Sequence, residues 1–138
     1  MADLRSRPIG ATATLGRRGY PVISSATGGA LEIVTGPTEA GFNPLDLLFA
    51  SLAACMSMSA RTAARELGLA GDFESLQVAV TGEKAPDEPS RFASIIVSLT
   101  FPGALDPHDQ SRIAHRAEEI CTVSNSLEVR PQLRIGSA

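Results

Sequence analysis

The chain has 138 residues, a span that fits one domain with a core of its own. Hydrophobic residues make up 43% and charged residues 20%, which excludes a disordered tail, and with no Trp, one Tyr and five Phe the core is expected to be aliphatic. The net charge of -3 argues against a nucleic-acid partner, because phosphate binding draws on clustered Lys and Arg.

The densest basic cluster, Arg5, Arg7, Arg17 and Arg18, reads as a solvated N-terminal edge rather than a polyanion site. Residues 1–10 read as a flexible arm on a single domain covering 1–138. Met1 to Gly10 lacks the apolar stretch of a signal peptide, so a cytoplasmic location is expected. Thr12 to Leu15, Pro21 to Ser25 and Leu31 to Val34 read as three short strands. The Gly28-Gly29 turn signal joins the last two, which makes an N-terminal antiparallel meander. Asn43 can cap a helix with Pro44 in its first turn, and Gly68 can stop it after Leu67. Apolarity on nearly every side of its first half predicts a buried central helix. Its run from Leu45 to Ala60 holds Asp46 and three serines and ends in Arg61 and Arg65, so no membrane partner is expected. Asp72 to Lys84 and Arg91 to Phe101 alternate as a second hairpin. Asp106 and Pro107 begin a second helix, and Leu127 to Ile135 read as a final short strand, interrupted by Pro131 and therefore either at an edge or irregular. The order βββ–α–ββ–α–β is an α+β arrangement.

The chain has two cysteines. Cys55 lies in the apolar helix, with Ser51, Leu52, Met58 and Ser59 three and four positions away. One reading makes it a small buried hydrophobe. The other makes it a nucleophile, which requires a cation close by to offset burial. Cys121 follows the second helix and precedes the polar run Thr122-Val123-Ser124-Asn125-Ser126. In a reducing compartment, a buried thiol with a second thiol is the layout of an attacking and a resolving cysteine. A zinc site from Cys55, Cys121, His108 and His115 has spacings unlike any structural zinc pattern. The chain has neither a G-x-S-x-G elbow nor a phosphate-cradling glycine motif, and no cofactor is expected.

Gly16-Arg17-x-Gly19, then Asn43-Pro44-x-Asp46-Leu47-Leu48-x-Ala50-x-x-Ala53-Ala54-Cys55, then Cys121-x-Val123-Ser124-Asn125-x-Leu127, resembles the OsmC/Ohr family over roughly residues 10 to 135. The helix motif ending in cysteine is the specific part. The resemblance implies an intertwined α+β homodimer and thiol-dependent reduction of organic hydroperoxides. By position it implies that Cys55 attacks the peroxide, Cys121 resolves the sulfenic acid as a disulfide, and Arg17 activates the thiolate, with Arg18 an open rival. An external thiol, for which a dithiol such as a lipoylated protein is one choice, would then reduce the disulfide. The chain departs from the organic hydroperoxide resistance branch at Leu45, where a glutamate ten residues before the cysteine is the pattern, and resembles more divergent branches with an acid at Asp46. On a regular helix Leu45 lies about 80° from Cys55 and Asp46 about 180° from it, which points Asp46 toward a capping role. The rival reading is a non-catalytic member, either a binder of small apolar ligands or a redox sensor.

Overall fold

The computed structural model describes residues 6–137. Arg5 and the first half of the expected arm lie outside the described residues. The elements are β1 (Ala11–Thr14), β2 (Val22–Ser25), β3 (Ala30–Glu32), α1 (Pro44–Glu66), β4 (Gln77–Lys84), β5 (Phe92–Phe101), α2 (Pro107–Ile120), α3 (Thr122–Asn125) and β6 (Gln132–Ser137). They fall into two compact units divided between Leu47 and Leu48.

The first unit is the expected meander, with antiparallel pairs such as Thr14↔Val22 and Val22↔Glu32. Its β2–β3 turn depends on Gly28, whose φ of 97° suits a residue without a Cβ. There the Ser25 N–H donates to the Gly29 carbonyl at 2.8 Å. Residues 6–10 have no regular structure, yet the Ala26 N–H donates to the Gly10 carbonyl at 2.9 Å and Arg7 donates to the Thr27 hydroxyl. The start of α1 is held by a reciprocal cap. The Asp46 N–H donates to the Asn43 side-chain oxygen at 2.8 Å, and the Asn43 N–H donates to the Asp46 carboxylate at 3.0 Å. Asp46 thus does the capping work that its helical position implied.

The second unit packs α1 and α2 on the sheet β4-β5-β6. Strand β5 alternates as its sequence predicts, sending Ile95, Val97, Leu99 and Phe101 into the core. Leu52, Met56, Ala60, Ala63 and Ala64 form one helical stripe on α1, and Ile113, Ala114 and Ala117 form another on α2. Gly82 in β4 leaves room for the Phe49 ring, since a Cβ there would lie 2.8 Å from its tip. Past the end of α1, Gly68 adopts φ 72° and the Leu69 N–H reaches back to the Ala64 carbonyl at 2.7 Å. Length and composition alone would let α1 cross a membrane, and one stripe of it is buried against the core of the second unit. Met58, on another face of α1, remains exposed in the single chain. Strand β6 is an edge strand and runs parallel to β5, with Ile96↔Gln132 in register. Pro131 sits immediately before it, where a missing N–H breaks no ladder bond.

Candidate active site

The site is built from two stretches far apart in sequence. On α1, Cys55 is half-buried and packs against the core of the second unit, one turn before Ser59. Cys121 comes from the break between α2 and α3. Its φ of -75° and ψ of 107° end one helix and begin the next, so it is the C-cap of α2 and the N-cap of α3. The Ser124 N–H donates to its sulfur at 3.4 Å, and the Asn125 N–H donates to its carbonyl at 3.0 Å. The Asn125 side chain ties the break to α2 by donating to the Glu119 carbonyl at 2.9 Å. Cys121 is fully buried in this joint.

The structure brings the two cysteines together. Both are free thiols within hydrogen-bonding reach of each other. Burial pushes the Cys55 thiol up. Hydrogen bonds from Cys121, the Val123 N–H, the Ser59 hydroxyl and the Thr122 N–H outweigh it and hold Cys55 below its ordinary value. Cys121 moves the other way. Burial first, and then its position as partner to Cys55, push it up to about 11 against the pull of the Ser124 and Val123 N–H groups. The same surroundings thus shift the two thiols in opposite directions, Cys55 toward the thiolate and Cys121 toward the protonated form.

Arg17 and Arg18 lie on the β1–β2 loop of the first unit, both exposed and without an ion pair among the described residues. Leu45 is 40% exposed at the start of α1. His108 and His115 are exposed on α2, and among the described residues no group of three or more His, Cys, Asp or Glu could hold a metal ion. Sequence reasoning missed α3 and with it the backbone N–H groups of Thr122, Val123 and Ser124 that face the sulfurs. The available signal was the Cys121-x-x-Ser124 spacing, which is that of a capping side chain and the N–H it receives.

A model of the OsmC-like protein family matches residues 36–135. The chain belongs to the OsmC-like family. Its fold is similar to the organic hydroperoxide resistance protein OhrB of Bacillus subtilis, at 20% identity and a TM-score of 0.71 over 94% of this chain and 97% of that one. It is also similar to an OsmC-like protein of Mycoplasma pneumoniae, at 17% identity and a TM-score of 0.78 over 96% of each chain. A third likeness is an organic hydroperoxide resistance protein, OsmC, of Legionella pneumophila, at 18% identity and a TM-score of 0.72 over 94% and 96%. At these identities the likeness is one of fold. No curated protein matches the chain. In this OsmC-like chain the α+β order expected from the sequence is the one observed, with the short α3 added between α2 and β6.

Proposed function

We propose that this protein is a thiol-dependent peroxidase that reduces organic hydroperoxides. The observation that carries the reading is the pairing of a half-buried thiol held below its ordinary pKa with a fully buried thiol pushed above it. The Cys55 thiolate attacks the distal peroxide oxygen, breaks the O–O bond and releases the alcohol after protonation, leaving a sulfenic acid. Cys121 condenses with that sulfenic acid to a disulfide and water. An external thiol, for which a dithiol is the natural choice, reduces the disulfide by exchange. The organic preference fits the apolar setting of Cys55, which packs against the core cluster that holds Leu52 and Met56. Two of the fold neighbours are organic hydroperoxide resistance proteins, which supports the same reading.

Arg17 is the proposed activating cation and the chain is proposed to work as a homodimer in a single domain arrangement, in the cytoplasm. A dimer would cover apolar positions of α1 such as Met58, which is 61% exposed in the single chain. Arg17→Ala is expected to slow peroxide consumption about 10²-fold with little change in melting temperature, as fits loss of electrostatic activation from an exposed residue. Stopped-flow peroxide assays and thermal melts on Arg17→Ala and Arg18→Ala check this. Equal losses of rate and stability would make Arg17 structural, and a selective loss only in Arg18→Ala would transfer the role.

The test of the whole reading is one equivalent of cumene hydroperoxide added to the reduced protein, followed by intact-mass measurement and peptide mapping. The expected product is a Cys55–Cys121 disulfide. If Cys55 stays a free thiol, the peroxidase reading fails. A cleft of about 590 Å³, lined by Leu48, Phe92, Ile95 and Val129 together with Arg91 and Glu128 and by neither cysteine, would then favour the second reading, a non-catalytic binder of small apolar ligands.

A further inference from the structure

Ser124 is fully buried, and its hydroxyl oxygen has no hydrogen-bond partner among the described residues. Burying a hydroxyl without a partner is unfavourable, and native folds rarely keep one without a use for it. The rest of its turn is fully employed. The Ser124 N–H donates to the Cys121 sulfur at 3.4 Å, and the Thr122 and Val123 N–H groups act on the Cys55 sulfur. Three successive residues thus turn their backbone donors to two sulfurs, while the one side-chain hydroxyl buried in the same turn is idle. It is idle in the reduced protein. The atom that the reaction adds to this neighbourhood is the oxygen on Cys55.

We propose that Ser124 is a catalytic residue of the resolving step, whose hydroxyl holds the oxygen of the Cys55 sulfenic acid and relays the Cys121 proton to it as that oxygen leaves. The proposal rests on the peroxidase reading. A hydroxyl suits the task because it donates one hydrogen bond and accepts two, and rotation about its Cα–Cβ bond re-aims it between staggered positions. The Cys121 sulfur attacks the Cys55 sulfur, so that the S–S bond forms and the S–O bond breaks. Ser124 takes the Cys121 proton and passes its own to the departing oxygen, which leaves as water. The Cys121 sulfur is oxidised and the sulfenic sulfur reduced, and the hydroperoxide has already supplied the oxidising equivalents. Ser124 is the residue of the turn whose own N–H already meets the Cys121 sulfur, at 3.4 Å, and Cys121 is fully buried there, so its proton has to leave through a neighbouring group rather than through water. In the second unit, the groups that act on the two thiols are backbone N–H donors, the thiols themselves and the Ser59 hydroxyl, which is engaged with Cys55.

The experiment compares wild type, Ser124→Ala and Ser124→Thr as full reduced chains given one equivalent of cumene hydroperoxide. Peroxide loss is followed in stopped flow. Disulfide formation is followed by acid quench and intact mass, with dimedone to trap the sulfenic acid. In Ser124→Ala the disulfide is expected to form about 10²-fold more slowly, the size of a lost acid–base contribution. The dimedone adduct at Cys55 should accumulate while the first step keeps its rate. Its melting temperature should equal or exceed that of wild type, because no hydrogen bond of the reduced protein is lost. Ser124→Thr, which keeps the hydroxyl, should recover most of the disulfide rate. A wild-type disulfide rate in Ser124→Ala overturns the proposal and leaves the peroxidase reading standing. A markedly lower melting temperature in Ser124→Ala also overturns it, by making the hydroxyl structural. A wild type that forms no disulfide overturns both.

Discussion

Cys55→Ser is expected to lower cumene hydroperoxide consumption by at least about 10³-fold, because a serine hydroxyl stays protonated where a thiolate is the nucleophile. The fold should survive. Cys55 is half-buried beside the core rather than inside it, and serine differs from it by one atom. Circular dichroism and a thermal melt would separate loss of chemistry from loss of structure. The same residue gives a pH prediction with a definite sign. A thiol held below its ordinary pKa is already more ionised at neutral pH than a free cysteine. Its alkylation by iodoacetamide should rise with pH and level off below the pH at which an ordinary thiol does. Reactivity is lost as pH falls through the lowered value. Cys121→Ala removes one of the hydrogen bonds that lower it, so that profile should move to higher pH. A profile for wild type that levels off above the ordinary thiol value would sink the assignment of Cys55 as the thiolate.

Cys121→Ser is expected to leave one turnover of peroxide intact and to abolish efficient recycling with a dithiol, by about 10²-fold or more. Without a resolving sulfur, the Cys55 sulfenic acid persists and excess peroxide drives it to the sulfinic state. Mass spectrometry would read this as a gain of two oxygens on the peptide containing Cys55. The change should be mild for the fold. Cys121 caps α3 through its side chain, and serine is among the preferred residues at that position. If Cys121→Ser turned over repeatedly at the wild-type rate with no sulfinic product, Cys121 would not be the resolving residue.

Much of the scaffold was legible in the sequence because its signals are local. The period of two from Ile95 to Phe101 marks a strand with one buried face. Asn43, Pro44 and Asp46 announce the start of α1, and Gly68 its end. What was not legible depends on distant partners or on very short segments. No pattern along Gln132–Ser137 says that it runs parallel to β5, since direction is set by the crossover that precedes it. Four residues, Thr122–Asn125, are too few to show a helical period, and their helix depends on the conformation of Cys121. The opposite pKa shifts of the two thiols were also out of reach. They follow from the burial of both sulfurs and from the hydrogen bond between them, which lowers Cys55 and raises Cys121, and that contact depends on how the chain folds α1 against the break before α3.

The parallel pairing of β6 with β5 also sets an order of assembly during synthesis. The β4–β5 hairpin and α1 emerge from the ribosome before α2, α3 and β6, yet β5 stays unpaired along one side until β6 arrives. Through that interval Cys55 has been made and the joint carrying Cys121 has not. A nascent chain therefore carries Cys55 without Cys121 and without the Thr122 and Val123 N–H groups that hold its pKa down, so in a stalled chain iodoacetamide should label it with the pH profile of an ordinary thiol, and only the finished chain should show the lowered one.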